Sequence, residues 1–426
     1  MARILLLSLV FAPDGVSTAV LVTDLALELQ RLGHQVEVLT TTPHYNVDPD
    51  ARARQPLQPG RFHLVYQSQI EQIPVHHVAI PAKGHRVGAR MLDYLRFHVV
   101  SLVIGVQSTG SYDVILAPSP PLTIGIVAWL LGLVGRAAFI YNVQEIYPDV
   151  AVSLGVLKNP ALIRCFEWLE RFIYGRAHCI TVISERFRRC LLVKGVDADK
   201  LQVIPNFVDT EFMQPGSRYN PFAREHGLED KFVVQYAGNI GLTQGFETIF
   251  EAARILEPVS DLCFLIVGDG TRREWLEAQL AEHKLPNVLL LPYQPRSVVP
   301  QIYASSDVCL VPLKRGTAQE TFPSKIYTIM AAGRPVIASA DPNSELEWVV
   351  QQAGCGWTTP PDDAAVLADT IRLAYAQRQQ LPAMGRQGRE YVVAYHSKAA
   401  VAAQYDSVVR SLAEPQILAN KPCPNS

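Results

Sequence analysis

Short, continuously apolar runs recur along the chain, each followed by a longer stretch with the three-to-four-residue period of a helix. Strands that are apolar at every position are buried on both faces, the condition met in a parallel sheet covered by helices. In the first half Arg3–Val10, Gln35–Thr40, Asp113–Ala117, Ala138–Val143, Cys179–Ile183 and Leu201–Ile204 read as strands. Ser17–Leu32 reads as the first helix, stopped by Gly33-His34. In the second half Phe232–Ala237, Cys263–Val267, Val288–Leu291, Asp307–Val311 and Pro335–Ala338 read as strands, and Thr243–Leu256 as a helix. The fold class expected is α/β, with two Rossmann-like, doubly wound parallel-sheet domains and a ligand cleft at the carboxyl ends of the strands.

A length of 426 residues suits more than one such domain. Pro205–Pro221 carries three prolines and little periodicity, so it reads as the linker. The expected division is 1–208 and 209–395, then a helix over 396–414 packing back on the first domain, and a patternless, disordered tail over 415–426. The stretch from Thr41 to about Gln72, rich in Pro, Arg and Gln, reads as one long loop.

A formal net charge of −2 leaves no basic field for nucleic acid. Seven cysteines, none spaced C-x-x-C, read as buried thiols of a reducing compartment, as Cys309 does in SSDVCLVPL. The opening MARILLLSLVFAPDG runs through Pro13-Asp14-Gly15 into a helical pattern, a first strand and turn rather than a signal peptide, so a cytoplasmic chain is expected. The most apolar run, Leu122–Val134, is too short to span a bilayer and is closed by Arg136. The D-x-D spellings at Asp48–Asp50 and Asp197–Asp199 lie outside the expected cleft and read as chance, so no metal is expected.

Three stretches carry chemistry. In YAGNIGLTQGFETIFEAA (Tyr236–Ala253) a strand ends in a Gly-rich turn that opens a helix, an arrangement suited to a phosphate and equally to an ordinary turn. In IVGDGTRREWLE (Ile266–Glu277), Gly268-Asp269-Gly270 lets a backbone approach closely, but Arg273 stands where a dinucleotide fingerprint has its last glycine. In LKRGTAQETFPSKIYTIMAAGRPVIAS (Leu313–Ser339), Pro323-Ser324-Lys325 opens a helix with a hydroxyl and a cation, a plausible diphosphate cradle, and Glu320 before it suits sugar hydroxyls. Simple capping by Ser324 is the alternative.

With FAPDGVSTAVLVTDLALELQRLGHQVEVLT, VQEIYPDVAVSLGVL and VIPNFVDTEF, these stretches run in one order from residue 1 to about 340. In that order the sequence resembles retaining family-4 glycosyltransferases of the GT-B fold. Within them it is most similar to bacterial colanic-acid, capsule and O-antigen enzymes, including L-fucosamine transferases. The resemblance implies transfer of a sugar from a nucleotide diphosphate donor, UDP-linked rather than GDP-linked, to a polyprenyl-diphosphate-linked or saccharide acceptor, with no cofactor. It implies that Gly15 and the turn carrying Gly238, Asn239, Gly241 and Gln244 approach the donor phosphates. Asp269 and Gly270, with Tyr293, would border the base; Pro323, Ser324 and Lys325 would hold the diphosphate; Glu320, the first glutamate of the family's E-x7-E, would grip the sugar.

Several positions depart from the family pattern. The second glutamate, expected on the ribose, is Thr328; the usual Arg and Lys after the strand are Asn239 and Gln244, leaving more of the phosphate charge to Lys325 and Arg272. The His-Asp pair of many relatives reads Gln144-Glu145, which makes Glu145 the expected cleft carboxylate that orients or deprotonates the acceptor.

Gly88–Val106 mixes Arg90, Arg96 and His98 with a broad apolar face, and Lys83 and Arg86 precede it. It reads either as a core helix or as a basic amphipathic helix on the inner face of the cell membrane, where a lipid-linked acceptor would lie. A nucleotide-sugar 2-epimerase of the same fold, or a non-catalytic subunit of a polysaccharide assembly complex, is the competing function.

Overall fold

The computed structural model describes residues 1–44, 49–60, 64–80, 87–107, 112–153, 155–317 and 322–419, excepting the side chains of 17, 49–51, 87–92 and 415–419. The chain forms two units, Met1–Asn206 joined by the segment from Val401, and Phe207–Ala400.

In the first unit the strands are β1 (Arg3–Leu7), β2 (Gln35–Thr41), β3 (Gln58–Pro59), β4 (Val65–Ile70), β5 (Ile73–Val78), β6 (Val114–Pro118), β7 (Ala138–Val143), β8 (Cys179–Val182) and β9 (Leu201–Val203). They form one sheet in the order β3-β4-β5-β2-β1-β6-β7-β8-β9. From β5 to β9 every pairing is parallel. Strands β6, β7 and β8 are buried at every position, because helices cover both faces of the sheet. The stretch expected as a loop is instead a helix (Pro49–Arg54) followed by β3 and β4. β4 pairs antiparallel with β5 through a two-residue turn in which Glu71 has φ 50, so this edge of the sheet is not parallel.

In the second unit β10 (Phe232–Ala237), β11 (Leu262–Val267), β12 (Val288–Leu291), β13 (Val308–Pro312), β14 (Val336–Ser339) and β15 (Gly356–Thr359) form a wholly parallel sheet. Its order is β12-β11-β10-β13-β14-β15, so the winding reverses between β10 and β13. In the helix Phe246–Leu256, Phe246, Ile249, Phe250, Ala253 and Leu256 recur at helical spacing and pack on Val234, Tyr236, Phe264 and Ile266. Each large side chain so buried stabilises the unit by about 1.5–3 kcal/mol before chain entropy is subtracted.

The chain ends in the helices Ala364–Ala376, Leu381–His396 and Lys398–Ala419. The last carries the chain back into the first unit. There His34 Nδ1 accepts the Ala2 N–H at 3.2 Å, which leaves Nε2 to donate to Asp406 at 2.6 Å. Tyr405 OH accepts from Asn142 Nδ2 at 2.9 Å. The helix runs to Ala419, so the tail expected to be disordered from 415 is helical over its first residues; 420–426 lie outside the described residues.

Cys179, Cys309 and Cys355 are buried free thiols, and burial pushes them up to about 11, 12 and 12. Cys165 is exposed, against expectation, and Cys423 lies outside the described residues. Among the described residues no helix is long and apolar enough to cross a membrane, and no group of three or more His, Cys, Asp or Glu could hold a metal ion. Asp197 of the second D-x-D caps a short 3-10 turn, accepting the Asp199 N–H at 3.0 Å. Asp48 of the first lies outside the described residues.

Candidate active site

Ligands of doubly wound sheets bind beyond the carboxyl ends of the strands where the winding reverses. In the second unit that point lies between β10 and β13. The loops leaving these strands are tied together: Gly245 N donates to Pro312 O at 3.0 Å and Lys314 N to Thr243 O at 3.0 Å. Gly238, Asn239, Gly241 and Gln244 lie on the first loop, and Pro323, Ser324 and Lys325 end the second. Asp269, Gly270 and Arg272 follow the neighbouring β11, and Tyr293 follows β12.

Lys325 opens the helix Lys325–Ala331, and its side chain reaches back over β10. Its Nζ donates to Tyr236 OH at 2.6 Å and stands 3.8 Å from the centre of that ring. Tyr236 OH in turn donates to Asn239 O at 2.6 Å, so one tyrosine positions both the lysine and the glycine-rich turn. A Cβ on Gly238 would lie 3.1 Å from the lysine Nζ. Burial lowers the Lys325 pKa to about 7. Such a cation is poised to gain both a proton and a partner when an anion arrives.

Two of the glycines are required by the packing of the turns themselves. A Cβ on Gly268 (φ +155) would lie 1.9 Å from Gly238 O, and one on Gly270 (φ +154) 2.4 Å from Ile240 O. The β10 and β11 turns approach each other closely, and Ile240 N donates to Asp269 O at 2.8 Å. Gln244 also serves the turn itself, accepting Gly241 N at 3.1 Å. Ser324 makes no side-chain cap, but the first-turn amides of Ile326 and Tyr327 already donate to Pro323 O and Ser324 O at 3.1 and 3.0 Å. Those two first-turn amides are therefore already engaged within the helix. Thr328 lies one turn inside this helix, three residues from Lys325.

Arg272 stacks over Trp275 at 4.3 Å and pairs with Glu247, which Lys314 also approaches at 3.1 Å. Partial burial raises Glu247, but its backbone hydrogen bond, Lys314 and Arg272 outweigh that and hold it below the ordinary glutamate value. Lys314, Glu247 and Tyr236 were missed in the sequence because only the folded loops bring Tyr236 beside Lys325, and Glu247 between Arg272 and Lys314. Tyr293 is half-exposed, and its OH donates to Asp269 O at 3.5 Å, so the two expected base-side residues adjoin. Glu320 lies outside the described residues.

In the first unit Gly15 is exposed beyond β1, and Glu145 is exposed beyond β7. Partial desolvation nonetheless raises the Glu145 carboxyl above its ordinary value. The preceding Gln144 is fixed: its Nε2 donates to Asn142 Oδ1 at 2.7 Å and its Oε1 accepts from Asn206 at 2.9 Å. Beyond β1, buried Asp14 accepts the His44 N–H at 2.8 Å, a pairing that nothing in the sequence pattern announced.

The helix Val87–Gln107 buries Phe97 and Ser101 and leaves Leu95, Val99, Val103 and Val106 44–58% exposed, so it is a core helix with an apolar outer stripe. His98 adds no positive charge, contrary to expectation. Burial lowers it to about 4, and its Nε2 lies 2.6 Å from Thr123 Oγ1. Arg96 is half-buried, while Lys83, Arg86 and the Arg90 side chain lie outside the described residues.

Residues 15–206 match the family described as glycosyl transferase 4-like domain, and 220–391 match glycosyl transferases group 1. The chain is 25% identical to Escherichia coli K12 WcaI, named as a colanic acid biosynthesis glycosyl transferase, over 96% of this chain and 100% of that protein. It is 28% identical to Pseudomonas aeruginosa WbjE, named as a glycosyltransferase, over 61% of this chain and 65% of that protein. Among solved structures, sucrose-phosphate synthase from Thermosynechococcus elongatus superposes with TM-score 0.74 at 21% identity over 97% of this chain and 100% of that one. HepE of Anabaena, solved with UDP and glucose, superposes with TM-score 0.71 at 17% identity over 96% and 100%. With two successive domain matches on two doubly wound sheets, the chain belongs to the family-4 glycosyltransferases of the GT-B fold.

Proposed function

We propose that the chain is a retaining glycosyltransferase that moves a sugar from a UDP-sugar to a polyprenyl-diphosphate-linked saccharide in cell-surface polysaccharide synthesis. The observation that carries this reading is Lys325, placed by Tyr236 at the winding reversal of the second unit. Breaking the bond from the anomeric carbon to the diphosphate builds negative charge on the departing phosphate. Lys325 stabilises that charge where it develops, and Lys314 and Arg272, gathered by Glu247 on the loops after the neighbouring strands, add positive charge, with no metal or cofactor needed. Asp269, Gly270 and Tyr293 border the base, Thr328 faces the ribose, and Glu320 holds the donor sugar. Glu145, with its raised pKa, takes the acceptor proton or orients the hydroxyl. Retention follows if the acceptor attacks from the face that the diphosphate leaves, so no protein nucleophile is invoked. The names of WcaI and of the UDP-bound HepE support the polysaccharide and UDP assignments.

Removing Lys325 should raise the barrier by about 3 kcal/mol, the scale of one donor at a developing oxyanion. A thermal-shift panel of UDP- and GDP-sugars tests the donor site on the wild type and Lys325→Ala. Stabilisation by UDP-sugars that is lost in the variant is expected, and a wild type indifferent to every nucleotide sugar would refute the assignment.

The same reading places the chain on the inner face of the cell membrane through residues 88–106. The stripe Leu95, Val99, Val103 and Val106 supplies apolar area, and Arg96 a charge for anionic headgroups. Val99→Glu with Val103→Glu should release the protein from anionic liposomes; undiminished sedimentation with them would remove this part of the reading.

A further inference from the structure

The second unit has another concavity, at the opposite ends of its strands from Lys325. Asp307 and Pro335 on its wall immediately precede β13 and β14, so it opens at the amino ends of the strands. Strands of this length set it roughly 15 Å from the loops at their carboxyl ends. The cavity encloses about 350 Å³, within the range of small-molecule sites.

Four arginines, Arg334, Arg378, Arg386 and Arg389, share its wall with two acids, Asp307 and Glu390. Asp307 is already engaged: its Oδ2 accepts from Arg218 at 3.3 Å and from Val233 N at 2.7 Å. Arg334 donates only to carbonyls, Gly216 O at 3.0 Å and Ala304 O at 2.7 Å, and its Nε is buried with no hydrogen-bond partner. Arg389 likewise donates to Met213 O at 2.6 Å, Ala331 O at 2.7 Å and Thr210 O at 2.8 Å. Carbonyls orient a guanidinium without neutralising it, and a charge taken out of water ordinarily keeps a counter-ion. Burial lowers both arginines from their ordinary value; at Arg334 the nearby Asp307 offsets only part of this. Arg378 and Arg386 are exposed and add positive charge to the same wall. The floor includes the apolar Pro335 and Leu381.

We propose that this cavity is a second ligand site that takes a phosphorylated small molecule. The arginines engage the phosphate oxygens, for which the planar guanidinium fork is well matched. The uncharged body of the ligand lies on Pro335 and Leu381. The site does not depend on the donor-site assignment, because none of its residues belongs to the loops around Lys325.

The experiment is titration calorimetry of inorganic pyrophosphate into the full chain. The proteins compared are the wild type, Lys325→Ala, Arg378→Ala with Arg386→Ala, and the triple variant. Both substituted arginines are exposed, so the fold should survive, and an unchanged melting temperature checks this. The expected result is pyrophosphate binding that persists in Lys325→Ala and weakens tenfold or more in the triple variant. UDP binding should be unaltered in the double arginine variant. The proposal is overturned if pyrophosphate fails to bind Lys325→Ala in the millimolar range, or if its affinity there is indifferent to the two arginines. Loss of UDP binding on substituting Lys325 bears only on the donor site, so the two readings fail separately.

Discussion

Raising the pH above neutrality should weaken donor binding through Lys325. Burial against Tyr236 brings this amine down to about 7 in the free protein. A diphosphate beside it returns its pKa toward the ordinary lysine value of about 10.4. Binding must then take up a proton. At about pH 8 only about one tenth of the free protein holds a charged Lys325, so about 0.9 proton is taken up and Kd is about tenfold weaker than near pH 6. Each further pH unit costs about another tenfold, or about 1.4 kcal/mol. The terminal phosphate of UDP, with a second pKa at about 6, completes its ionisation at the acid end of this window; that strengthens binding as pH rises, the opposite sign, so it does not mimic the effect. Calorimetry of UDP binding from about pH 6.5 to 8.5, in two buffers of different ionisation enthalpy, reads both Kd and proton uptake. Lys325→Met should bind weakly, with no pH slope and no uptake. A wild-type Kd constant from about pH 7 to 8.5, or uptake that survives in Lys325→Met, would refute the reasoning. The ligand-free fold carries the opposite sign. A lysine whose folded pKa is depressed destabilises the fold while charged, so apo stability should rise with pH above about 7 relative to Lys325→Met.

Two other substitutions test the packing beneath the site. Gly268→Ala drives a Cβ to within 1.9 Å of Gly238 O at φ +155. It should destabilise the second unit by about 2–4 kcal/mol, visible as a lower melting temperature; an unchanged melt would show that the two turns are not locked together. Tyr405→Phe leaves the buried Asn142 amide, 2.9 Å from the lost hydroxyl, without that acceptor. A cost of about 1–2 kcal/mol in urea unfolding is expected, with a larger loss if the C-terminal helix detaches; no loss would mean that the helix is held by its apolar face alone.

The strand–helix alternation was legible because burial on both faces leaves a local mark. Runs such as AFIYNV, apolar but for Asn142, and LCFLIV are buried almost throughout, and both became interior strands paired in parallel on both sides. The edge hairpin was not legible. β4 reads VYQSQI and its turn is Glu71-Gln72, so neither strong alternation nor the Gly or Asn usual at positive φ marks it. Periodicity also placed the helix of residues 88–106, but it could not say that His98 would be taken up by Thr123 and kept neutral.

In the second unit the order of elements and the presence of Lys325 after a loop were settled by local sequence. Tertiary structure alone decided that Tyr236 reaches Lys325, 89 residues away, that Glu247 gathers Arg272 and Lys314, and that the glycines of two turns meet each other. The physical reason is range. Backbone geometry repeats over a few residues and so writes itself into hydropathy and turn residues. Which side chains converge depends on loops closed across a whole sheet, and that is set by packing rather than by any neighbour in the chain.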